Sequence, residues 1–397
     1  MTFAKFSFME EWKTIHISDI GKIVTGKTPR TSIAENYGGR IPFLTPSDDL
    51  SGKYAPHSAK TLTNLGLAEV KNCLLPDHAI CVSCIGSDLG KVVMTKQPTV
   101  TNQQFNSIIP NADFDPDFVY YLMTIVGKKL NYLSKTSTAV PIVNKSSFSA
   151  FEVSVPPLHE QKRIARILSS FDDIIALNNR INHNLEEQIQ ERFDSMIISD
   201  NGLGYCQIAD YVDVNPKRSL RKNEPAKCVD MSYLSTTGPF PSGWETKGYN
   251  GGMKFFNGDT IMARITPCLE NGKVAYVNFL DDGETAFGST EFIVLHAKEG
   301  VDPVFTYFLV RNKNFVDYAT KNMNGSSGRQ RVSGDTIGKY MIPVIDSHSL
   351  NEFSGFATPA MEVIRNNSFE SRSLAATRDA LLPLLLSGEL SISQMNC

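Results

Sequence analysis

The feature of this sequence that most constrains its fold is an internal duplication. A motif that begins at Asp77 recurs 182 positions later, from Asp259, and residues 115–122 recur 187 positions later, at 302–309. The recurring pieces keep the same order and nearly the same spacing, which chance similarity does not explain. Self-similarity at a fixed distance indicates repeated copies of one structural unit. We therefore expect a tandem duplication, in which each half is a globular block followed by a helix.

Within each half, short apolar runs rich in Val, Ile, Phe and Tyr alternate with Gly, Pro, Asn and Asp, a pattern typical of strands joined by turns. Two aromatic-rich stretches begin at or just after an Asp-Pro pair, which favours short helices. The predicted strands are 79–85, 91–94, 259–265 and 292–296, and the predicted helices are 117–126 and 303–311. The sequence therefore predicts a mixed α+β block, built twice.

Two other stretches differ in kind from the blocks. From Leu158, about forty residues contain neither Pro nor Gly, far more than the ~11–12 residues of an average helix. Apolar residues recur there in steps of three and four, as in a coiled coil, and Asn178 and Asn182 fall on the same seam, where a buried polar side chain sets the register. The second stretch is less regular, and Gly355 and Pro359 weaken its first turns. The seam positions are Ile164, Leu168, Phe171, Ile175, Leu185, Ile189 and Met196, then Leu350, Phe353, Ala357, Ala360, Ile364, Leu374, Leu381 and Leu385.

These patterns divide the chain into a block at 1–156, a helix at 157–200, a block at 201–345, and a helix with a tail at 346–397. One interpretation is that each helix packs on its own block. Length argues against it, because forty helical residues span ~60 Å, more than the width of a domain of ~150 residues. We expect the two helices to pair with each other and to act as a spacer.

Charge follows the same division of the chain. Residues 1–156 carry 15 Lys and Arg against 13 Asp and Glu, and residues 201–345 carry 16 against 15, whereas both helical segments are acidic. A nucleic-acid surface belongs on the two blocks of positive charge. Scattered cysteines, the absence of a run of ~18 apolar residues, and a start without a signal-peptide pattern favour a cytoplasmic protein with free thiols and no membrane partner.

The segment from Gly21 to Thr28, GKIVTGKT, matches the phosphate-loop pattern of nucleotide-binding proteins letter for letter. Such a loop works between a buried strand and a helix whose N-terminus holds the phosphates. Here Pro29 follows at once, and no amphipathic helix can be drawn after it. We interpret the match as a coincidence, and a P-loop-like nucleotide-binding protein remains the alternative function.

Cys81 and Cys84, with Cys73 and His78 nearby, suggest a zinc site, but a structural zinc site closes with a second ligand pair and none follows. The same residues fit a strand with buried thiols. The sequence also lacks the catalytic tetrapeptide of a DNA methyltransferase, a Ser/His/Asp set and a nuclease-like carboxylate cluster. We expect a non-catalytic chain that binds no metal and no cofactor.

Polar and basic loops recur at matching places in the two halves. Arg and Lys pair with guanine, Asn and Gln pair with adenine, and hydroxyl and backbone N–H groups bind phosphates. Each residue taken alone fits a solvated surface loop as well, but a run of two cations that flank an amide, at 329–331, favours DNA. The residues predicted to contact DNA are Lys27, Thr28, Arg30, Lys91, Asn102, Gln103, Gln104, Ser137, Thr138, Lys217, Arg218, Arg264, Lys273, Asn324, Ser326, Arg329, Gln330 and Arg331.

Several short motifs together resemble one known family over essentially the whole chain. They are Ile20-Gly21 with TGKTP at 25–29, IPFL at 41–44, PPLHEQ at 156–161, Gly258-Asp259 with TPCLENGK at 266–273, RDALLP at 378–383 and LSGEL at 386–390. In these motifs the chain is similar to the specificity subunits of type I restriction-modification systems. Each motif alone is weak, and their combination is specific.

The resemblance implies two target-recognition domains, each reading one half of a bipartite site in double-stranded DNA, separated by an antiparallel pair of coiled-coil helices. It implies that the helices dock two modification (methyltransferase) subunits and that restriction subunits join the full complex. S-adenosylmethionine, ATP and magnesium would belong to those partners, so the chain itself would need no cofactor. The remaining alternative is a purely structural spacer protein that does not bind DNA.

Overall fold

The computed structural model describes residues 12–55, 58–86, 88–135, 143–198, 202–326 and 328–390. They form two compact units. Unit 1 contains the described residues as far as Ile174 together with those from Ser373 onward, and unit 2 contains Ile175–Arg372. The boundaries fall inside two long helices, Leu158–Ile198 and Ser347–Ser387, each of 41 residues. Both predicted long helices are therefore present, and each contributes to both units.

The described part of unit 1 contains ten strands. They are β1 (Lys13–His16), β2 (Gly21–Thr25), β3 (Tyr37–Leu44), β4 (Lys60–Leu62), β5 (Leu74–Leu75), β6 (Ile80–Ser83), β7 (Val92–Met94), β8 (Thr99–Thr101), β9 (Phe105–Pro110) and β10 (Glu152–Val155). The α-helices are α1 (Ile17–Ile20), α2 (Asn64–Glu69), α3 (Pro116–Lys135) and α4 (Lys145–Ser149), and the long helix α5 (Leu158–Ile198) follows.

The described part of unit 2 also contains ten strands. They are β11 (Tyr205–Gln207), β12 (Val212–Val214), β13 (Pro225–Val229), β14 (Glu245–Gly248), β15 (Met253–Phe255), β16 (Thr260–Ala263), β17 (Val274–Tyr276), β18 (Ala286–Gly288), β19 (Phe292–Ala297) and β20 (Met341–Pro343). The α-helices are α6 (Val304–Arg311), α7 (Lys313–Lys321) and α8 (Gly334–Gly338), followed by the long helix α9 (Ser347–Ser387).

The two units have the same strand order. Unit 1 has sheets β2-β9-β6-β7 and β4-β3-β8-β5 and the pair β1-β10, and unit 2 has β12-β19-β16-β17, β14-β13-β18-β15 and β11-β20. In each unit one pair of neighbours is parallel, β3 with β8 and β13 with β18, and the other pairs are antiparallel. The predicted duplication and the predicted α+β class are confirmed.

One detail of the predicted duplication is wrong. His78 (φ 58°) and Gly258 (φ 92°) are the equivalent residues, because each donates its N–H over 2.8 Å to the first carbonyl beyond β7 or β17. Asp259 is therefore the equivalent of Ala79, not of Asp77. The motif match paired the wrong residues because the β16–β17 connection is longer than the β6–β7 connection. The offset in residue number between equivalent positions therefore changes within this hairpin.

Alternate residues of the central strands face different layers, as the pleat of a strand requires. In β6, Ile80 and Val82 pack with the helices, whereas Cys81 packs against the second sheet. In β16, Met262 and Ile261 divide in the same way. Each unit is thus a layer of helices on one sheet, backed by a second sheet.

The long helices pack against each other through the predicted seam. Within unit 2, the amide of Asn178 donates to the carboxylate of Glu370 (2.8 Å), and the amide of Asn182 donates to the Ser368 hydroxyl (3.2 Å). The amide of Asn367 returns a hydrogen bond to Asn182 (2.9 Å). Because the partner number on α9 falls as the number on α5 rises, the two helices run antiparallel. The predicted buried role of Asn178 and Asn182 is confirmed.

Each unit also ties α5 to the helix that follows its sheet by a tyrosine–carboxylate hydrogen bond. In unit 1, Tyr121 donates to Asp172, which also pairs with Arg378 of α9. In unit 2, Tyr307 donates to Glu186 over 2.7 Å. Burial raises the pKa of both phenols well above their ordinary value, so both remain protonated donors. The two contacts use different positions of the duplicated stretch, because Tyr307 corresponds to Tyr120 and Tyr121 corresponds to Phe308.

The predicted weakness at the start of the second long helix does not interrupt it. Helix α9 continues through Gly355 and Pro359, and both residues are exposed. Proline removes one backbone donor, but a carbonyl that loses its partner on an exposed face is hydrated. Asp346 caps the N-terminus by accepting the N–H of Ser349 (3.0 Å), which stabilises the first turn.

Replacing Asp172 with Ala should destabilise unit 1. The carboxylate is nearly buried, with 11% of the side chain exposed, and its loss leaves the Tyr121 hydroxyl and one edge of Arg378 without their acceptor. An unsatisfied buried group costs about 1–3 kcal/mol. Asp173→Ala is the matched control, since Asp173 is exposed. We expect a lower midpoint of thermal unfolding, followed by circular dichroism, for Asp172→Ala only; equal midpoints for both variants would contradict this role.

Candidate nucleic-acid interface

One edge of the central sheet of unit 1 collects polar segments that are distant in sequence. Strand β2 ends and strand β9 begins at this edge. The N–H of Lys27 donates to the Thr101 carbonyl (3.0 Å), and the Thr28 hydroxyl donates to the Gln103 side chain (2.7 Å). The structure therefore brings the predicted residues Lys27 and Thr28, which follow β2, next to the predicted residue Gln103, which precedes β9.

The close approach of these segments explains Gly26. Its N–H donates to the Phe105 carbonyl (3.1 Å), and a Cβ atom at this position would overlap the carbonyl oxygens of Thr101 and Asn102. Its partner in the phosphate-loop pattern, Gly21, begins strand β2 itself. The segment that should be the loop is thus a strand, and no helix follows Thr28. This geometry excludes a phosphate loop here.

Some predicted residues shape the turn before β9. Asn102 is buried; its amide donates to the Gln104 side chain (2.8 Å), and its oxygen accepts the Gln104 N–H (3.0 Å). Gln103, between them, is exposed, so it is the residue of this turn best placed to meet a ligand. Ser137 and Thr138 lie outside the described residues, and their assignment stays a prediction.

Two predicted cations of unit 1 are paired with carboxylates. Arg30 donates to Glu69 through Nε (2.9 Å) and a terminal nitrogen (2.7 Å), and these hydrogen bonds lower the pKa of Glu69 to about 2. Lys91 pairs with Asp88 at 2.7 Å. Both cations lie at the surface, where such pairs contribute little to stability. A DNA phosphate would compete with the carboxylate for each of them.

The same edge of unit 2 joins three segments. The N–H of Arg264 donates to the Glu291 carbonyl (3.0 Å), and the N–H of Val332 donates to the Arg264 carbonyl (3.0 Å). Arg331 and Asn324 exchange backbone hydrogen bonds of 2.9 Å. Other predicted residues of this edge and its neighbourhood that are exposed or half-buried are Lys217, Ser326, Arg329 and Gln330.

Two cations of unit 2 that were predicted to contact DNA instead contact groups of unit 2 itself. Arg218 pairs with the fully buried Asp259 (3.3 Å) and lies over the Phe256 ring at 3.7 Å. Burial raises the pKa of Asp259, and the cation opposes this by favouring the charged carboxylate. The Lys273 ammonium donates to the Met231 carbonyl (3.1 Å). The assignment of Arg218 and Lys273 to DNA stays a prediction.

Sequence reasoning missed a basic face at the end of α3. Lys128, Lys129, Tyr132 and Lys135 are all exposed, and 71% of the Tyr132 surface is accessible. Among the described residues, none of the three lysines has an ion-pair partner. The side chain of Asn131 donates to the Leu89 carbonyl (2.7 Å), which fixes this end of α3 beside the β6–β7 connection. A signal existed in the sequence, since residues 128, 132 and 135 share one face of a helix.

The zinc hypothesis finds no support in the part of the chain that the structure describes, where no group of three or more His, Cys, Asp and Glu side chains is arranged to hold a metal ion. Cys81 lies in the core between the sheets, and burial raises the pKa of its thiol to about 12. A cysteine binds zinc as a thiolate, which this environment disfavours. In the same described ranges, no helix has the length and hydropathy needed to cross a membrane.

Comparison with known proteins agrees with the resemblance that the sequence motifs indicate. Residues 9–187 match the family model described as the type I restriction modification DNA specificity domain. The type I restriction enzyme MjaIX specificity subunit of Methanocaldococcus jannaschii is 27% identical, over 97% of this chain and 95% of its own. The chain is therefore similar to a type I restriction enzyme specificity subunit along nearly its whole length.

Two further proteins match part of the chain or its fold. The HindI specificity subunit of Haemophilus influenzae is 35% identical over 36% of this chain and 32% of its own length. The crystal structure of the type I S subunit from M. genitalium has a TM-score of 0.62, covers 96% of this chain and 98% of its own, and is 14% identical. At that identity, the likeness shows the fold alone.

Replacing Gly26 with Ala should disrupt the edge of unit 1. The added methyl group meets two backbone carbonyls, which cannot move without breaking the contact between Lys27 and Thr101. Overpacking of this kind costs about 1–3 kcal/mol. Gly52→Ala is the control, because a Cβ there would have an ordinary contact of 3.5 Å. We expect a lower unfolding midpoint and weaker DNA binding for Gly26→Ala alone; a Gly26→Ala protein as stable as the control would contradict the close approach.

Proposed function

We propose that this chain is the non-catalytic DNA sequence-recognition subunit of a type I restriction-modification complex, and that each unit contacts one half of a bipartite site in double-stranded DNA. The observation that carries the proposal is that the two units share one strand order but differ in the side chains at one edge of the central sheet. Unit 1 presents Lys27, Thr28 and Gln103 there, and unit 2 presents Arg264 and Arg331. A repeated framework with different polar groups suits two different half-sites.

The basic face of α3 supports a role in DNA binding for unit 1. Lys128, Lys129 and Lys135 carry charge that the described part of the protein does not neutralise. Lysines of this kind bind phosphates and fix the register of a protein on the duplex, whereas base edges carry the sequence information. We therefore assign α3 to the DNA backbone and the loop edge to the bases.

The long helices supply a surface for protein partners. Leu177 and Ile181 are exposed apolar residues of α5, 45% and 37% accessible. They share a helical face that the contacts of Asn178 and Asn182 with α9 leave open. An apolar patch on acidic helices suits protein rather than DNA. We propose that the modification subunits, two per chain, dock on the helices, and that restriction subunits join the full complex. S-adenosylmethionine, ATP and magnesium then serve those partners.

Nothing favours the alternative of a nucleotide-binding protein. The segment from Gly21 to Thr28 has the letters of a phosphate loop, but it is a strand followed by the tight contact of Gly26. A purely structural spacer remains distinguishable by experiment, because it would show no sequence preference for DNA.

Replacing residues 1–156 with the equivalent block of a relative of different specificity should change one half of the recognised site. The two units have separate sheets and separate loop edges, so the half-site read by unit 2 should persist. Sequencing of modified bases in a host that carries the complete system is the measurement. A chimera in which both half-sites change together would contradict one-unit, one-half-site recognition.

Replacing Lys128 and Lys129 together with Ala should weaken binding to all DNA sequences alike. If each lysine neutralises one phosphate, the slope of log affinity against log salt should fall by about two. Lys22→Ala is the control, because Lys22 is an exposed lysine at the opposite end of β2 from the loop edge. An unchanged salt slope in the double variant, measured by fluorescence anisotropy, would remove α3 from the interface.

A further inference from the structure

Arg331 and Glu291 form a fixed pair at the edge of unit 2. The Glu291 carboxylate accepts from Nε of Arg331 (2.9 and 3.0 Å to its two oxygens) and from one terminal nitrogen (2.7 Å). The other terminal nitrogen donates to the Arg329 carbonyl (3.1 Å). A guanidinium carries five N–H groups. Two of them therefore remain, one on each terminal nitrogen, without an acceptor among the described residues.

The backbone holds both members of the pair in place. Glu291 receives a hydrogen bond from Arg264 at its carbonyl (3.0 Å) and donates its N–H to the Ser289 hydroxyl (3.1 Å). Arg331 exchanges two backbone hydrogen bonds with Asn324. A side chain anchored at its backbone and along one edge loses little further freedom on binding. The guanidinium is thus pre-organised, with 39% of the side chain exposed.

The carboxylate also decides which ligand the guanidinium favours. Hydrogen bonds from Arg331 lower the pKa of Glu291, so the carboxylate is charged at neutral pH. A phosphate at Arg331 would place a second anion on the same guanidinium, which like-charge repulsion opposes. The O6 and N7 atoms of guanine are neutral acceptors that accept a two-pronged contact from arginine in the major groove. The charge arrangement therefore favours a base edge over the backbone.

We infer that Arg331 reads a guanine in the half-site contacted by unit 2, and that Glu291 is the positioning residue that holds the guanidinium for it. The inference rests on the proposed function, and it names a base within one half-site. Glu291 touches no base in this arrangement and acts only through Arg331. The nearby Arg264, whose Nε is buried without an acceptor, adds positive charge beside the pair.

The test is selection of preferred sites from a randomised duplex library by the full chain, with affinity measured at several salt concentrations. The wild type should require guanine at one position of one half-site. Arg331→Ala should reduce discrimination at that position by ~10- to 100-fold and leave the other positions unchanged. Arg331→Lys, which keeps the charge and loses the fork, should lose the same preference and guards against a variant that fails to fold.

Glu291→Gln separates positioning from a merely structural role. We expect an unchanged unfolding midpoint, reduced guanine discrimination, and equal or tighter binding to non-specific DNA, because a negative charge is removed. Glu299→Gln is the matched control, since Glu299 is an exposed carboxylate just beyond the other end of β19. The control should resemble the wild type in all three measurements.

Four outcomes overturn the inference. If Arg331→Ala weakens binding to all sequences equally and lowers the salt slope by about one, Arg331 contacts a phosphate. Unchanged preferences in both the Arg331 and the Glu291 variants remove the pair from recognition. If the wild type prefers cytosine, and this preference is lost with Glu291→Gln but kept with Arg331→Lys, the Glu291 carboxylate contacts the base instead. A wild-type chain without any sequence preference overturns the proposed function itself, and this inference with it.

Discussion

The structure depends on the burial of one apolar stripe along each of two 41-residue helices. Such a stripe costs free energy in water in proportion to its area, so each helix requires a partner along its length. Antiparallel pairing of α5 and α9 meets that requirement. In this alignment the amides of Asn178 and Asn182 find hydrogen-bond partners on α9, and a buried polar side chain on a seam favours the register that satisfies it.

This constraint couples distant parts of the chain. The core of unit 1 contains Leu168 of α5 together with Leu385 near the end of α9. The core of unit 2 contains Phe193 of α5 and Phe353 near the start of α9, with ring centroids 5.6 Å apart. Each globular block therefore completes its core with segments of both helices, so the last helix of the chain is part of the first block.

The side chains at the loop edge differ between the two units, although the strand order is the same. Strand order recurs in both units, because it builds the same layers. The edge residues do not have to agree, since solvated loops contribute little to the core. The two units also differ at a buried position. Unit 1 buries Ala79 there, whereas unit 2 buries Asp259, whose carboxylate contacts Arg218 and His296. Two copies of one scaffold thus carry unlike polar groups.

The sequence by itself determined the duplication, the α+β class, the two long helices and the buried asparagines, because apolar periodicity and Pro/Gly placement are local properties of a chain. Only the tertiary structure decided the register of the duplication at Asp259 and the need for glycine at Gly26. It also decided which cations have partners within the protein. Arg30 is paired, Lys128 is not, and Arg331 keeps two donors. These outcomes depend on groups that strand pairing brings together from positions far apart in sequence, such as Glu291 beside Arg331, and no local pattern encodes that distance.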